Sequence, residues 1–312
     1  MERIFGKHND EPCTLRLRAG EVVEVKSKDE IVATLDENCE LEGLPFMAEM
    51  SKYCRKRLRV LTSVNRIIVE GIGIRFIKNV AILEGATCDG EAHAGCERAC
   101  FVLWKEAWLR RAPKKISLDN QIARASTVCL LAFCKNPKCQ SASLPKASTD
   151  LPIWDYRRFL SIVSQRGFRA MLLSLRLEIL QFLTGNKPLG MSSNSRKTPT
   201  AALKLQPGEI VEVRNKDEIV TTLDYAGRNR GLEFTKEMEK YCGKRMKVLK
   251  IVDRMIVEKT GKMRQIANTV FLDGATCDGQ SHGGCPRNCY CFFREIWLRR
   301  VDTEPGSQQI LK

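Results

Sequence analysis

Apolar and polar residues alternate along Glu21 to Val25, the pattern of a strand with one buried face. Ser27-Lys28-Asp29-Glu30 follows with the spacing of a capping box, which predicts a short helix running to Thr34. Leu58 to Val69 is rich in β-branched residues and is followed by Gly73, a turn signal; Ala81 to Glu84 reads as a further short strand. Phe101 to Arg111 closes the stretch. The pattern then returns later in the chain. Asn215-Lys216-Asp217-Glu218, Met246 to Val257, Gly261, Val270 to Asp273 and Phe292 to Arg300 give the same elements in the same order.

The return is a sequence repeat. GEVVEVKSKDEIVATLD at 20–36 matches GEIVEVRNKDEIVTTLD at 208–224 at an offset of 188. That offset holds through Phe46/Phe234, Met50/Met238, Tyr53/Tyr241 and Cys54/Cys242. One inserted residue then makes it 189, which carries Cys88/Cys277, His93/His282, Cys96/Cys285, Cys100/Cys289, Glu106/Glu295 and Trp108/Trp297. Residues 14–112 and 202–301 are thus two copies of one module, separated by an insert at 113–201. Short strands, glycine turns and one helix in about 95 residues suit a small SH3-like barrel. The expected class is α+β, mainly β: two SH3-like small β-barrel modules with a helical insert between them.

Charge separates the insert from the modules. The chain carries a formal net charge of +15. Residues 113–201 hold +10 of it, against +1 for 14–112 and +6 for 202–301. Asp155 to Leu183 reads as helical, and Arg158, Arg166, Arg169 and Arg176 fall within about 80° of one another on a helical wheel. These four are the candidate partner-binding residues, for a polyanion such as nucleic acid, an anionic membrane surface or an acidic protein. Residues 186–200 read as a linker. The basic clusters Arg55-Lys56-Arg57, Lys244-Arg245, Arg110-Arg111 and Arg299-Arg300 read mainly as solvated faces, and Trp104, Trp108 and Trp297 as core. The N-terminus lacks a secretory signal, and no transmembrane segment is expected, so the expected location is cytoplasmic.

Fourteen cysteines in that setting point to metal or plain thiols rather than disulfides. The sharpest pattern is C-x4-H-x2-C-x3-C, present as Cys88, His93, Cys96, Cys100 and again as Cys277, His282, Cys285, Cys289. Cys54 and Cys242 are shared earlier in each module. Repeated thiols and an imidazole match the ligand preferences of tetrahedral zinc, so all ten are candidate metal residues. Buried inert thiols are the competing reading, and a Cys88–His93 nucleophile lacks an identifiable orienting acid. Cys129, Cys134 and Cys139 form a C-x4-C-x4-C run that offers a weaker third site. Cys13, Cys39 and Cys291 have no partner in the other copy and read as incidental.

Cys-Asp-Gly-x-x-His resembles the end of the CDGSH iron–sulfur motif, with histidine one residue further on and without that family's upstream C-x-C pair. An iron–sulfur cluster is therefore the alternative cofactor to zinc. The strings GEVVEVKSKDEIVATLD, GLPFMAEMSKYCRKR, CDGEAHAGC, LPIWDYRRF and CPRNC…REIWLRR resemble an uncharacterised bacterial family of the same two-module build. That resemblance implies a stand-alone bacterial cytoplasmic protein and carries no activity. Without an acid/base pair, phosphate loop or nucleotide fingerprint, the sequence favours a non-catalytic metal-binding adaptor or regulatory protein. An iron–sulfur or metal-dependent redox enzyme and a peripheral membrane-associated factor are the alternatives.

Overall fold

The computed structural model describes residues 15–112, 138–150, 198–224, 226–279, 282 and 284–301. The insert arginines Arg158, Arg166, Arg169 and Arg176, together with Cys13, Cys129 and Cys134, lie outside the described residues. Contacts divide the chain into two compact units. The first comprises Met1–Ile153, Ile256–Lys262 and Cys285–Arg287; the second comprises Trp154–Met255, Met263–Gly284 and Asn288–Lys312. The described residues are mainly β, with three α-helices of five to eight residues.

In the first unit, β1 (Val22–Val25) turns Val23 and Val25 inward and leaves Val22 exposed, as its alternation requires. The capping box then starts α1 (Lys28–Val32). The Glu30 carboxylate accepts from the Ser27 N–H at 2.8 Å, and the Ser27 hydroxyl accepts from the Glu30 N–H at 3.4 Å. The helix is shorter than expected and stops at Val32. After the small ladder of β2 (Glu40–Leu41) and β3 (Leu44–Pro45), a 3-10 helix spans Ala48–Tyr53. β4 (Arg57–Val69) and β5 (Gly73–Thr87) form a long antiparallel hairpin. Ala81 to Glu84, expected as a separate short strand, lies inside the 15-residue β5. The chain ends in β6 (Phe101–Lys105), a 3-10 turn at Glu106–Trp108, and β7 (Leu109–Arg111).

The ladders order these strands β6-β5-β4-β1-β7, an open path whose two ends are joined in sequence by that single 3-10 turn. Trp104 and Trp108 are fully buried beneath it, with Phe46 edge-on to both rings. The Trp108 indole N–H donates to Thr34 Oγ1 at 3.1 Å. Buried Glu106 accepts from the N–H groups of Arg16 and Leu17 and fixes the lead into β1.

The insert contributes α2 (Gln140–Ala147) and β8 (Thr149–Asp150), which pairs with β5. Leu144 of α2 is fully buried in the core. Gln140 behaves as one more strand residue. It accepts from the Leu103 N–H and donates to the carbonyls of Leu103 and Pro45, at 2.8–3.0 Å. Buried Glu40 meets the Lys138 and Lys146 ammonium groups at 3.2 and 2.5 Å.

The second unit repeats the order. β9 (Ile210–Val213) and α3 (Lys216–Val220) are followed by β10 (Arg228–Asn229), β11 (Leu232–Glu233) and a 3-10 helix at Lys236–Tyr241. Then come β12 (Arg245–Ile251), β13 (Arg254–Ile256), β14 (Met263–Gln265), β15 (Thr269–Leu272), β16 (Phe293–Arg294) and β17 (Leu298–Arg300). The sheet runs β16-β15-β12-β9-β17, strand for strand the order of the first. The register shift between Val60 and Thr62 recurs between Val248 and Lys250. Trp297 is fully buried and donates to Thr222 Oγ1 at 3.0 Å, as Trp108 does to Thr34. Among the described residues no helix is long and apolar enough to cross a membrane.

Candidate metal centre

The centre of the first module is built by two short elements. The Ala48–Tyr53 3-10 helix carries Glu49, and the loop after β5 carries Cys88 and His93. Gly90 makes the loop possible. Its φ is +81°, and a Cβ there would meet the Cys96 carbonyl oxygen at 1.8 Å, so no other residue fits. The Gly90 carbonyl accepts from the N–H groups of His93 and Gly95, which turns His93 back over Cys88. Lys52, on the same 3-10 helix as Glu49, reaches Asp89 at 2.9 Å and fastens loop to helix.

Glu49 Oε1 stands 2.9 Å from His93 Nε2 and 3.1 Å from Cys88 Sγ. One ligand atom from each of Glu49, Cys88 and His93 lies within 4.8 Å of the other two, and all three residues are buried. Glu49 Oε2 is buried without a hydrogen-bond partner. Burial works to raise the Glu49 pKa, but the His93 hydrogen bond leads the effects that leave it below the ordinary carboxylate value. The Cys88 thiol is pushed strongly upward by burial and then by the Glu49 charge. Without a cation it stays protonated and is a poor nucleophile.

The second module repeats the arrangement. Glu237 Oε1 is 2.8 Å from His282 Nε2 and 3.3 Å from Cys277 Sγ, and Lys240 holds Asp278 at 2.9 Å. His282 differs from His93 in exposure: its side chain is 27% accessible, against 2%. Its pKa is raised, because the hydrogen bond it donates to the Glu237 carboxylate outweighs burial.

Of the ten metal candidates, Cys88 with His93 and Cys277 with His282 therefore converge. The other candidates are not members of the two Glu/Cys/His groups. Cys54 caps the end of its 3-10 helix, and its thiol, pushed up to about 11 chiefly by burial, feels Lys28 and Asp29 rather than the His93 loop. Cys242 occupies the same place, between Glu239 and Lys216. Cys96 Sγ accepts from the Ile256 N–H and Cys285 Sγ from the Ile68 N–H, both at 3.4 Å within the first unit. Cys100 Sγ is 3.2 Å from Ser141 Oγ, and its carbonyl accepts from the Cys88 N–H. Cys289 likewise accepts from the Cys277 N–H through its carbonyl. Cys39, read as incidental, is disulfide-bonded.

Glu49 and Glu237 are ligand-type residues that lie outside the C-x4-H-x2-C-x3-C motif. The signal was present: both copies keep a glutamate there, at the same offset of 188 that aligns Met50 with Met238. The basic clusters have partners of their own. Arg110 pairs with Glu24 and Glu30, Arg111 with Glu21, Arg299 with Glu212 and Glu218, and Arg300 with Glu209. No protein family model, curated protein or solved structure matches the chain.

Proposed function

We propose that this chain is a non-catalytic, zinc-binding adaptor or regulatory protein with one metal centre in each of two SH3-like modules. The observation that carries the reading is the duplicated Glu/Cys/His group, Glu49–Cys88–His93 and Glu237–Cys277–His282. Carboxylate oxygen, thiolate sulfur and imidazole nitrogen are all zinc ligands. A carboxylate buried against a thiol, with an oxygen left unpartnered, is costly unless a cation joins it. The same carboxylate speaks against the iron–sulfur alternative, whose clusters take thiolates and histidines. Burial of all three groups in the first module supports a structural role, because substrate has no open face to reach. The strand path joined end to end by a single 3-10 turn supports the barrel reading. The +10 insert supports a polyanionic partner, and the bacterial two-module family and cytoplasmic location remain part of the same proposal.

Elemental analysis and a visible spectrum of the full chain, purified without added metal, test the centre. The expected result is about one zinc per module and no chromophore. Glu49→Gln, which keeps the volume and removes the anion, should lose the first module's equivalent. Metal-free protein with every thiol reduced overturns the reading, and iron with a visible absorption transfers it to the redox alternative.

A further inference from the structure

The turn between β2 and β3 in the first copy and the turn between β10 and β11 in the second are built alike and charged oppositely. Glu42-Gly43 makes the first and Arg230-Gly231 the second, at the repeat offset of 188. Glu42 and Arg230 share a left-handed backbone, with φ of +52° and +47°. At the offset of 189 each copy also has a buried cation directed at its turn, Lys105 in β6 and Arg294 in β16. Lys105 donates to the Lys78 carbonyl at 3.1 Å and to the Glu42 carboxylate at 2.6 Å. Arg294 keeps the first kind of contact, donating to the Ala267 carbonyl at 2.7 Å. It loses the second, because the turn offers it only the Arg230 carbonyl, at 3.1 Å.

A third guanidinium reaches the same turn of the second unit. Arg264 is exposed on β14, and a Cβ added to Gly231 would stand 4.0 Å from its Nη2. Arg230 is exposed as well. Arg294 is 7% exposed, and its Nε is buried without a hydrogen-bond partner. Among the described residues no carboxylate pairs with any of the three, and the acid beside the turn, Glu233, meets Arg228 at 3.8 Å instead. Burial first, then Arg230 and Arg264, push the Arg294 guanidinium below its ordinary value. A buried cation with two like charges beside it and no anion is costly. An anion from outside the chain would remove that cost.

We propose that Arg230, Arg264 and Arg294 form a binding site for a single phosphate group, in the place where the first copy supplies the Glu42 carboxylate from its own chain. Charge selects phosphate over a carboxylate. Three guanidiniums meet at one turn, and a phosphate group brings about −1.5 to −2 charge and three strong acceptor oxygens. Arginine donors in a planar fork match those oxygens. The site belongs to the second unit alone, since Lys105 in the first is already neutralised by Glu42. It is independent of the metal centres and takes one small anion, free phosphate or a phosphomonoester, rather than a polymer.

The test is calorimetric titration of the full chain with inorganic phosphate, phenyl phosphate and acetate in a chloride buffer. Phosphate should bind the parent and acetate should bind it far more weakly. Arg230→Glu gives the second copy the acid of the first. It should fold with that glutamate paired to Arg294, as Glu42 pairs with Lys105, and should lose phosphate binding. Arg264→Gln, at an exposed position, should weaken phosphate binding by about tenfold or more, the worth of a hydrogen bond to a charged group. Tighter binding of phenyl phosphate assigns the group to a phosphomonoester and tighter binding of inorganic phosphate to the free ion, and either supports the site. A parent that binds neither overturns the proposal. So does phosphate affinity in a folded Arg230→Glu chain equal to that of the parent, or acetate affinity equal to that of phosphate.

Discussion

Glu258 and Glu49 are both buried carboxylates of the first unit, and they meet burial in opposite ways. Glu258 is 1% exposed and faces two guanidinium groups, Arg287 at 2.7 Å and Arg98 at 2.9 Å, while accepting from the Glu70 N–H. Burial raises its pKa, but Arg287 and Arg98 outweigh burial and leave it below 4.5. A carboxyl depressed in the folded state contributes stability above its unfolded pKa and loses it as pH falls through the folded value. The first unit should hold its stability down to about pH 4.5 and weaken below it. Glu258→Gln should flatten that acid limb and lower stability at neutral pH, because it leaves two buried cations without their anion. Denaturant unfolding across the acid range reads both effects, and an unchanged acid limb contradicts the assignment. Glu49, by contrast, has hydrogen-bond partners at one oxygen and an orphan at the other, which is why it points to a metal. Neither glutamate stood out in the sequence, since glutamate is a common surface residue and its burial is decided by tertiary structure. Cysteine and histidine are rarer, so Cys88, His93, Cys277 and His282 were legible from spacing alone.

Elements whose cause is local were legible, and elements whose cause is tertiary were not. The alternation of β1 and the capping box of α1 involve neighbours within four residues, and both formed where expected. The pattern predicts only Ala81 to Glu84 of the long β5. Its N-terminal part pairs with β4 and β8, and strand partners distant in sequence leave little trace in composition. α2 was missed altogether. It contains Pro145 and two serines, poor helix formers, and is held by Gln140, Leu144 and the lysines on Glu40 rather than by propensity. Gln140 should therefore matter more than a polar residue in a short helix normally does. Gln140→Ala leaves the Leu103 N–H and the Leu103 and Pro45 carbonyls buried without partners, which costs about 2–4 kcal/mol. Equilibrium unfolding measures it, and a loss below about 0.5 kcal/mol, ordinary for a surface site, would mean that α2 is not fastened through this side chain.

At the scale of the whole molecule, the question is where a charge of +15 acts. Several of the modules' arginines are engaged locally. Arg110, Arg111, Arg299 and Arg300 each meet glutamates that their own β1–α1 or β9–α3 segment supplies. Exposed ion pairs of this kind are worth little to stability, about 0–1 kcal/mol, but they cancel the local field that would draw an anion. Trp104, Trp108 and Trp297 are fully buried and offer no stacking surface for bases. The largest share of the charge is the insert's +10, which includes Arg158, Arg166, Arg169 and Arg176, the residues proposed to meet a polyanion. Polyanion binding should then depend on the insert and not on the module edges. Replacing the four insert arginines by Gln should weaken retention on heparin and lower the slope of log affinity against log salt for single-stranded DNA. That slope scales as about 0.7 per phosphate contact on a single strand, so losing four contacts should lower it by about 2–3. Replacing Arg110 and Arg111 by Gln should leave the slope nearly unchanged, because it frees Glu21, Glu24 and Glu30 without removing an anion contact. Equal slopes for the parent and the insert variant would overturn the assignment. A fall confined to the Arg110/Arg111 variant would move the binding face onto the modules.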